Sequence, residues 1–439
     1  MFGVQLPSSV TEDTSSQNLA TYALEGLRQI MDWADAHAKR NNTLPIPLIV
    51  NFSYGFQAGP KDGRSYIESE IDRLVNAREG HTVVVLPAGN SFEDRTSAYM
   101  ILNKDDEESL SWVVQPDDKT ESFVEIWFPI TEHEEASLDV ELTIKPPVGE
   151  SFTLRTERGP SAHVLPAPNG APIAGIYYNL TYSDALQDET TPKRPNILLA
   201  VNRTNARDAL SGSVTAAPAG RWELTLKNKR TETLEATWSV QRDDTLSGYR
   251  ASGRQSFFDR RDASDRSGKT ADYSALAETC PITGRYSMSA LSGGEMTLTV
   301  GAADDGALHA TSENVHVSDI ADQQVHPSRY TASGPIPSSI GPACGAIVDH
   351  GPAFPGIYAA GVKSGSSSLL DGTSVAAPKL TRALAQFLFG RLSELRPHAK
   401  FEDEWKAFVS QQTKRGRDKD RLGNFLVARD FPDQERFKS

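Results

Sequence analysis

Thiols are scarce in this chain. Cys280 and Cys344 are its two cysteines, and neither stands in a CxxC or Cys/His spacing. No zinc site of the usual ligand spacing is expected, and the two read as ordinary thiols. Long apolar runs are missing as well. Without a stretch of about 18 apolar residues no membrane-spanning helix is expected. The opening "MFGVQLPSSVTEDTSSQ" has neither a basic n-region nor an apolar h-region, so it is not a secretory signal; with Met1 as the true start, that places the protein in the cytoplasm. Positive charge is in deficit. Lys and Arg total 45 against 58 Asp and Glu, a formal net charge of −13, which argues against nucleic acid as a main partner. The chain holds no internal repeat and no Asp-x-Asp-x-Asp-Gly calcium loop.

Hydrophobic residues make up 38% of the 439, enough for a core in one large domain or two to three smaller units. Residues Leu19 to Lys39 carry apolar side chains at helical spacing (Leu19, Tyr22, Ala23, Leu27, Ile30, Trp33, Ala34) and predict a long amphipathic helix. "PLIVNFSYG", Pro47 to Gly55, is a short apolar run without alternation, as suits a strand covered on both faces. Ser65 to Gly80 is helical again, with Gly80 as its stop, and His81 to Asn90, "HTVVVLPAGN", is a second buried strand. This order implies an α/β layer with parallel strands. After about Asn103 the pattern changes to short alternating runs between turn residues: "SWVVQP", "SFVEIWFPI", "LDVELTIKPP", "NILLAV", "RWELTLKN" and "EATWSVQ". These predict an antiparallel β-sandwich or jelly roll. Arg242 to Gly284 is polar and reads as long loops, and Gly293 to Asp305 returns to a buried strand. The expected division is residues 1–100, an inserted β-rich unit over 101–290, and 291–439.

Chemistry concentrates in "LLDGTSVAAPKL", where Ser374 heads a helical pattern among small residues. A serine hydroxyl needs a base to take its proton and donors for the developing oxyanion. At a helix start, free backbone N–H groups and the positive end of the dipole lie beside it. Gly372, Ala376 and Ala377 let a substrate backbone come close, and Pro378 fits the opening turns. Taken alone, such a tripeptide is equally an N-cap, Asn90 a turn residue after a strand, and Ser53, Tyr54 and Gly55 a strand-to-loop exit.

The string "GTSVAAP" (Gly372 to Pro378) resembles the nucleophile motif of the subtilisin-like serine proteases, the subtilases. Further strings match in the family's order: "NFSYG" (Asn51 to Gly55), the strand lining the substrate groove; "PAGN" (Pro87 to Asn90), whose Asn is an oxyanion donor; "TVGA" (Thr299 to Ala302); and "YTASGP" (Tyr330 to Pro335). The resemblance implies a parallel sheet flanked by helices, Ser374 as nucleophile, its own N–H with Asn90 as the oxyanion hole, and Ser53, Tyr54 and Gly55 at a bound peptide or protein. About two hundred residues, Ser91 to Thr299, replace a short family loop, which makes the β-rich unit an insertion. It either binds substrate or a partner, or covers and rigidifies the core. Many subtilases bind calcium, an ion to which no motif here points; no other cofactor is implied.

The family's Asp and His precede the Asn-x-Ser-x-Gly strand, and only about fifty residues precede Asn51 here. Asp13 precedes Thr14 but follows a polar segment, with Ser15 where Gly should stand. None of the nine histidines is followed by Gly-Thr; His37 sits on an exposed helix end and His350 reads as a solvated loop residue. Three readings follow. The one taken is that the Asp and His lie on an N-terminal segment outside this chain, leaving the sheet incomplete at its N-terminal side. The others are a non-catalytic relative that binds or scaffolds, and a base from an unrecognised position.

Overall fold

The structure is a computed structural model describing residues 1–15, 18–43, 45–130, 138–182, 193–205, 215–246, 249–250, 252–259, 280–306, 325–334, 341–351, 355–361, 363–391, 403, 406–408 and 418–427. Pro335, His133, His309, His316, His398, most of the 242–284 stretch and the start of the charged tail lie outside them.

A short helix α1 (Ser8–Thr11) precedes α2 (Leu19–Arg40), β1 (Leu48–Asn51), α3 (Tyr66–Asn76) and β2 (Thr82–Pro87). Helix α2 buries Leu19, Ala23, Leu27, Met31 and Ala34, while Tyr22 and Trp33, counted on the apolar face from sequence, stay exposed. Its buried stripe is narrower than the apolar spacing suggested. A full capping box starts α3: the Ser65 hydroxyl accepts from the Glu68 amide, and the Glu68 carboxylate accepts from the Ser65 amide. The helix stops before Gly80, which turns with φ +79° into β2 instead of capping it.

Strand β2 is buried at all six positions. Side chains alternate across a strand, so Val84 and Leu86 join the α2 and α3 side of the sheet, with Ile67, Ile71 and Val75. Val83 and Val85 join Ala376, Leu380 and Leu384 on the other side. Continuous apolar runs without alternation are thus what a doubly covered parallel strand requires.

Beyond β2 the chain leaves this sheet for eleven strands: β3 (Ser97–Leu102), β4 (Glu107–Val114), β5 (Ser122–Trp127), β6 (Val140–Lys145), β7 (Phe152–Arg155), β8 (Ser161–Pro166), β9 (Pro172–Tyr182), β10 (Lys193–Val201), β11 (Gly220–Asn228), β12 (Leu234–Val240) and β13 (Phe257–Asp259). They form two antiparallel sheets, ordered β3-β12-β5-β10-β9-β8 and β13-β4-β11-β6-β7, over one apolar core. The boundary expected at residue 100 falls inside β3, whose "SAYMIL" belongs to the sandwich. Docking to the parallel layer uses charge: Arg194 of β10 pairs with Asp62. Lys61 is buried and donates to the Tyr286 carbonyl at 2.6 Å; burial pulls its pKa down to about 7.

The chain re-enters the first sheet as β14 (Thr297–Asp304), which pairs in parallel with β2 on one side and with β16 (Cys344–Asp349) on the other; a two-residue strand β15 (His326–Pro327) lies antiparallel to β14. A hairpin of β17 (Ile357–Ala360) and β18 (Ser367–Leu370) then leads into α4 (Thr373–Arg391). Cys280 and Cys344 are both free, and Cys344 is buried in the sheet. Among the described residues no helix is long and apolar enough to cross a membrane.

Candidate functional site

Strands β1 and β2 run parallel, so their C-terminal ends open at the same edge of the sheet, where α4 also begins. A cleft of about 430 Å³ lies there. Ser53, Tyr54 and Gly55 from the exit of β1, Asn90 just after β2, and Ser374 in the first turn of α4 all line it. The five site residues read from sequence, spread over more than three hundred positions, therefore share one cavity.

Gly372 supplies the turn into α4 with φ +109°, a conformation that favours glycine. A Cβ there would stand 3.1 Å from Asn90 Nδ2. The Gly372 carbonyl accepts from the amides of Val375 and Ala376, while the Ser374 amide has no partner among the described residues. It is one of the orphan donors that every helix start leaves. Pro378 is the sixth residue of α4, in its second turn. Its missing N–H is the one that would have bonded the Ser374 carbonyl.

Asn90 is held in one orientation. The Thr373 amide, 2.9 Å away, can only donate, so the atom facing it is Oδ1. The Thr373 hydroxyl donates to the same Oδ1 at 2.9 Å and accepts from the Gly89 amide at 3.0 Å. Nδ2 is thereby turned away from Thr373, with no hydrogen bond among the described residues. Below this turn, the Gly372 amide donates to the Tyr330 hydroxyl (2.9 Å), which donates to Asp349 (2.8 Å). Burial, and then the nearby Asp349 charge, raise the Tyr330 pKa. The phenol stays protonated and the relay keeps its direction. Sequence reasoning missed Thr373 and Tyr330 as positioning residues, although both lie inside the quoted motifs.

On the β1 side the Ser53 hydroxyl accepts from Asn51 Nδ2 at 3.0 Å. Past the Phe52 amide, which still donates to the Val85 carbonyl, the chain turns tightly, the Tyr54 amide donating to the Phe52 carbonyl at 2.9 Å, and the Phe56 carbonyl accepts from the Ala290 amide at 2.8 Å. A Cβ on Gly55 would stand 2.4 Å from Ser289 Oγ, so this position admits no side chain without movement.

The inserted unit adds a wall. Arg242, Asp244, Leu246 and Gln255, in the stretch read as loops, line the cleft beside Thr14. Thr14 donates to the Asp244 carbonyl at 2.7 Å. Asp243 anchors this wall from behind: its carboxylate accepts from the Ser256 amide (2.9 Å) and hydroxyl (2.8 Å). Burial, with Asp118 adding, lifts its pKa from 3.8 to about 7. A raised carboxyl pKa means that the folded state binds the proton better. This stabilisation is complete below about pH 4 and is lost as the pH rises to about 7. Asp243→Asn is therefore expected to flatten the fall in stability between pH 4 and 7, by on the order of a few kcal/mol. Denaturant midpoints of both proteins across that range check it; parallel curves contradict it.

Among the described residues that line the cleft there is no histidine or lysine. The Asp13 carboxylate accepts from its own neighbour Ser15, amide and hydroxyl, and is committed there. His350 is not solvated as its loop position suggested: its side chain is 18% exposed, with Nδ1 3.0 Å from Asp305, and it lies outside the cleft lining. No group of three or more His, Cys, Asp or Glu gathers to hold a metal ion among the described residues.

Among the described residues, one edge of the layer carries no further strand. The amides of Leu48 and Phe52 donate to the β2 side, so the alternate residues Ile49 and Asn51 direct their backbone groups away from it. Among the described residues β1 has no second neighbour. A groove of about 560 Å³ runs beside it, lined by Phe2, Val4, Leu27, Ile49 and Phe52 among others.

No protein-family model matches the chain, and no curated protein matches it. Among solved structures it is similar to the CspB protease of Clostridium perfringens, with a TM-score of 0.59 and 15% sequence identity over 95% of this chain and 72% of that one. At this identity the likeness is one of fold, a mixed α/β body with parallel and antiparallel sheets.

Proposed function

We propose that the chain works as a serine endopeptidase of the subtilase family, hydrolysing peptide bonds of a protein or peptide through an acyl-enzyme on Ser374. The observation that carries this reading is the lock on Asn90. With Oδ1 bound by Thr373, its Nδ2 and the orphan amide of Ser374 are the two donors offered beside one serine hydroxyl. Donors fixed in advance where charge develops are what an oxyanion requires.

In this reading Ser374 Oγ attacks the peptide carbonyl carbon, its proton passes to an imidazole, and the oxyanion is held by the Ser374 amide and Asn90. The C–N bond breaks as the imidazolium returns the proton to the leaving amine, and water then hydrolyses the ester by the same steps. Ser53, Tyr54 and Gly55 flank the bound peptide, which lies extended. The Asp and His come from a segment outside residues 1–439 that pairs with the open edge of β1. A bare parallel-strand edge above an apolar groove is the form such a segment would fit.

A second reading, a catalytically inactive binding or scaffold protein, is favoured by the absence of an imidazole among the described cleft residues. A fluorophosphonate probe separates the two. Labelling is expected once an Asp- and His-bearing segment is supplied, and it should disappear in Ser374→Ala. Failure to label with or without the segment supports the binding reading, whereas labelling of the chain alone places the base within it.

A further inference from the structure

Residues 418–427, beyond the charged tail, lie outside the proposed reaction but not outside its support. They form a one-turn helix, Lys419–Leu422, and a short stretch laid along the sheet. Leu422 is buried with Ala303 and Ile347. The Gly345 amide donates to the Phe425 carbonyl at 2.9 Å, and the Val427 amide donates to the Gly345 carbonyl at 2.8 Å. The segment is thereby fixed to β14 and β16. Gly301 of β14 makes room for it, since a Cβ there would run into the Arg421 carbonyl.

From this base Arg421 reaches the loop that follows β15. Its Nε donates to the Thr331 carbonyl at 2.9 Å, and its Nη2 donates to the carbonyls of Ser328 at 2.7 Å and Arg329 at 3.0 Å. Loop carbonyls have no ladder to satisfy them; here the planar fork of one guanidinium meets those on both sides of Tyr330. The same guanidinium carbon lies 3.6 Å from the centroid of the Phe92 ring, a cation–π stack. The two groups it holds are also bonded to each other, the Phe92 amide donating to the Tyr330 carbonyl at 3.2 Å.

This loop touches both halves of the site. The Tyr330 hydroxyl takes the Gly372 amide, two residues before Ser374. The Ala332 amide donates to the Gly89 carbonyl at 2.9 Å, and Phe92 stands two residues after Asn90. Neither Arg421 nor Phe92 lines the cleft.

We propose that Arg421 is a positioning residue for Ser374 and Asn90. By tying residues 328–332 to the Phe92 ring, it holds the Gly372–Thr373 turn and the Asn90 turn in one relation. The C-terminal segment is then a working part of the site. That the site so held is a reaction centre rests on the protease reading above; the clamp itself does not.

Hydrogen exchange of the 439-residue protein, resolved to single amides by mass spectrometry, tests the clamp without turnover. Arg421→Met keeps an apolar stem and removes the donors and the charge. The amides of Phe92, Gly372 and Thr373, which bond Tyr330 or Asn90, are expected to exchange about tenfold faster. Those of Val84 and Val85 in β2 and of Leu224 and Leu226 in β11 should change by less than about twofold. Arg421→Lys keeps a cation at Phe92 and should recover part of the protection. A contribution to global stability alone would speed all these amides together. Unchanged exchange at the three site amides, a uniform acceleration, or no recovery in Arg421→Lys overturns the proposal. Should Arg421→Met not fold, Arg421→Lys is compared with the parent protein, and about threefold faster exchange at the same three amides is expected; no difference there overturns it. Fluorophosphonate labelling reports on the protease reading separately. Faster local exchange without labelling retains the clamp and rejects the protease. Labelling with unmoved exchange retains the protease and rejects Arg421 as its positioning residue.

Discussion

If the protease reading proposed above holds, Asn90→Leu is expected to lower kcat by about 10²–10³ once an Asp- and His-bearing segment is supplied, and to leave KM nearly unchanged. The range is that of a subtilisin whose oxyanion-hole asparagine was removed. In that reading the side chain would meet the substrate oxygen only when charge develops on it, so its loss would fall on the transition state and not on binding. Thr373→Val gives a second, smaller effect with a different origin. It keeps Nδ2 but removes the hydroxyl that ties the Gly89 amide to Asn90 Oδ1. Loss of that link is expected to cost up to about tenfold in kcat, since one of the two donors that hold Asn90 Oδ1 is gone and the backbone amide of residue 373 alone keeps its orientation. Steady-state kinetics on a peptide amide distinguish the variants. An unchanged kcat in Asn90→Leu would exclude Asn90 as an oxyanion donor.

Trp222→Ala is expected to destabilise the sandwich by about 3–5 kcal/mol. Trp222 and Trp112 stand directly opposite each other on β11 and β4, both with no exposed surface, ring centroids 6.4 Å apart. Removing one indole leaves a cavity that its partner strand cannot close. The two tryptophans differ in one respect: Trp222 Nε1 donates to the Pro218 carbonyl at 3.2 Å, whereas Trp112 Nε1 is buried with no partner among the described residues. Trp112→Phe should therefore cost less than Trp222→Phe, because it removes an unsatisfied donor. Urea midpoints followed by far-UV circular dichroism test both statements. A cost for Trp222→Ala below about 1 kcal/mol would mean that the site collapses around the gap.

Much of the parallel layer was legible because its inner strands are buried on both faces and β1, though covered fully on one face only, is apolar up to Asn51. "LIVN", "TVVVLP" and "TLTVGAAD" read as strands with no knowledge of their neighbours. Where apolar residues stand on the exposed face, the pattern fades. Strand β8 alternates in burial but exposes Val164, and β9 exposes Tyr177 and carries Gly175 in its middle, so residue type there does not follow the alternation that marks a half-buried strand. The site divides in the same way. Gly372, Ser374 and Asn90 announce themselves by residue type and spacing. The wall built by Arg242, Asp244 and Gln255 does not, because polar residues in a loop acquire meaning only from what they are folded against. The orientation of the Asn90 amide also lay outside the sequence; it follows from a backbone donor 283 residues away.

The pairing of β2 with β14 also bears on how the chain folds. Val84 and Thr297 are direct partners, yet they are roughly 210 residues apart, a separation at which closing the loop as open coil would carry a large entropic cost. The sandwich shortens that path. Its two ends meet where Ala98 bridges Ile282 and the Thr283 amide donates to the Ser97 carbonyl at 3.0 Å. Once the sandwich has formed, β2 and β14 are separated by two short tethers. Refolding should then show the sandwich appearing first and the parallel layer closing afterwards, so Ser374 and Asn90 are brought together in the last step.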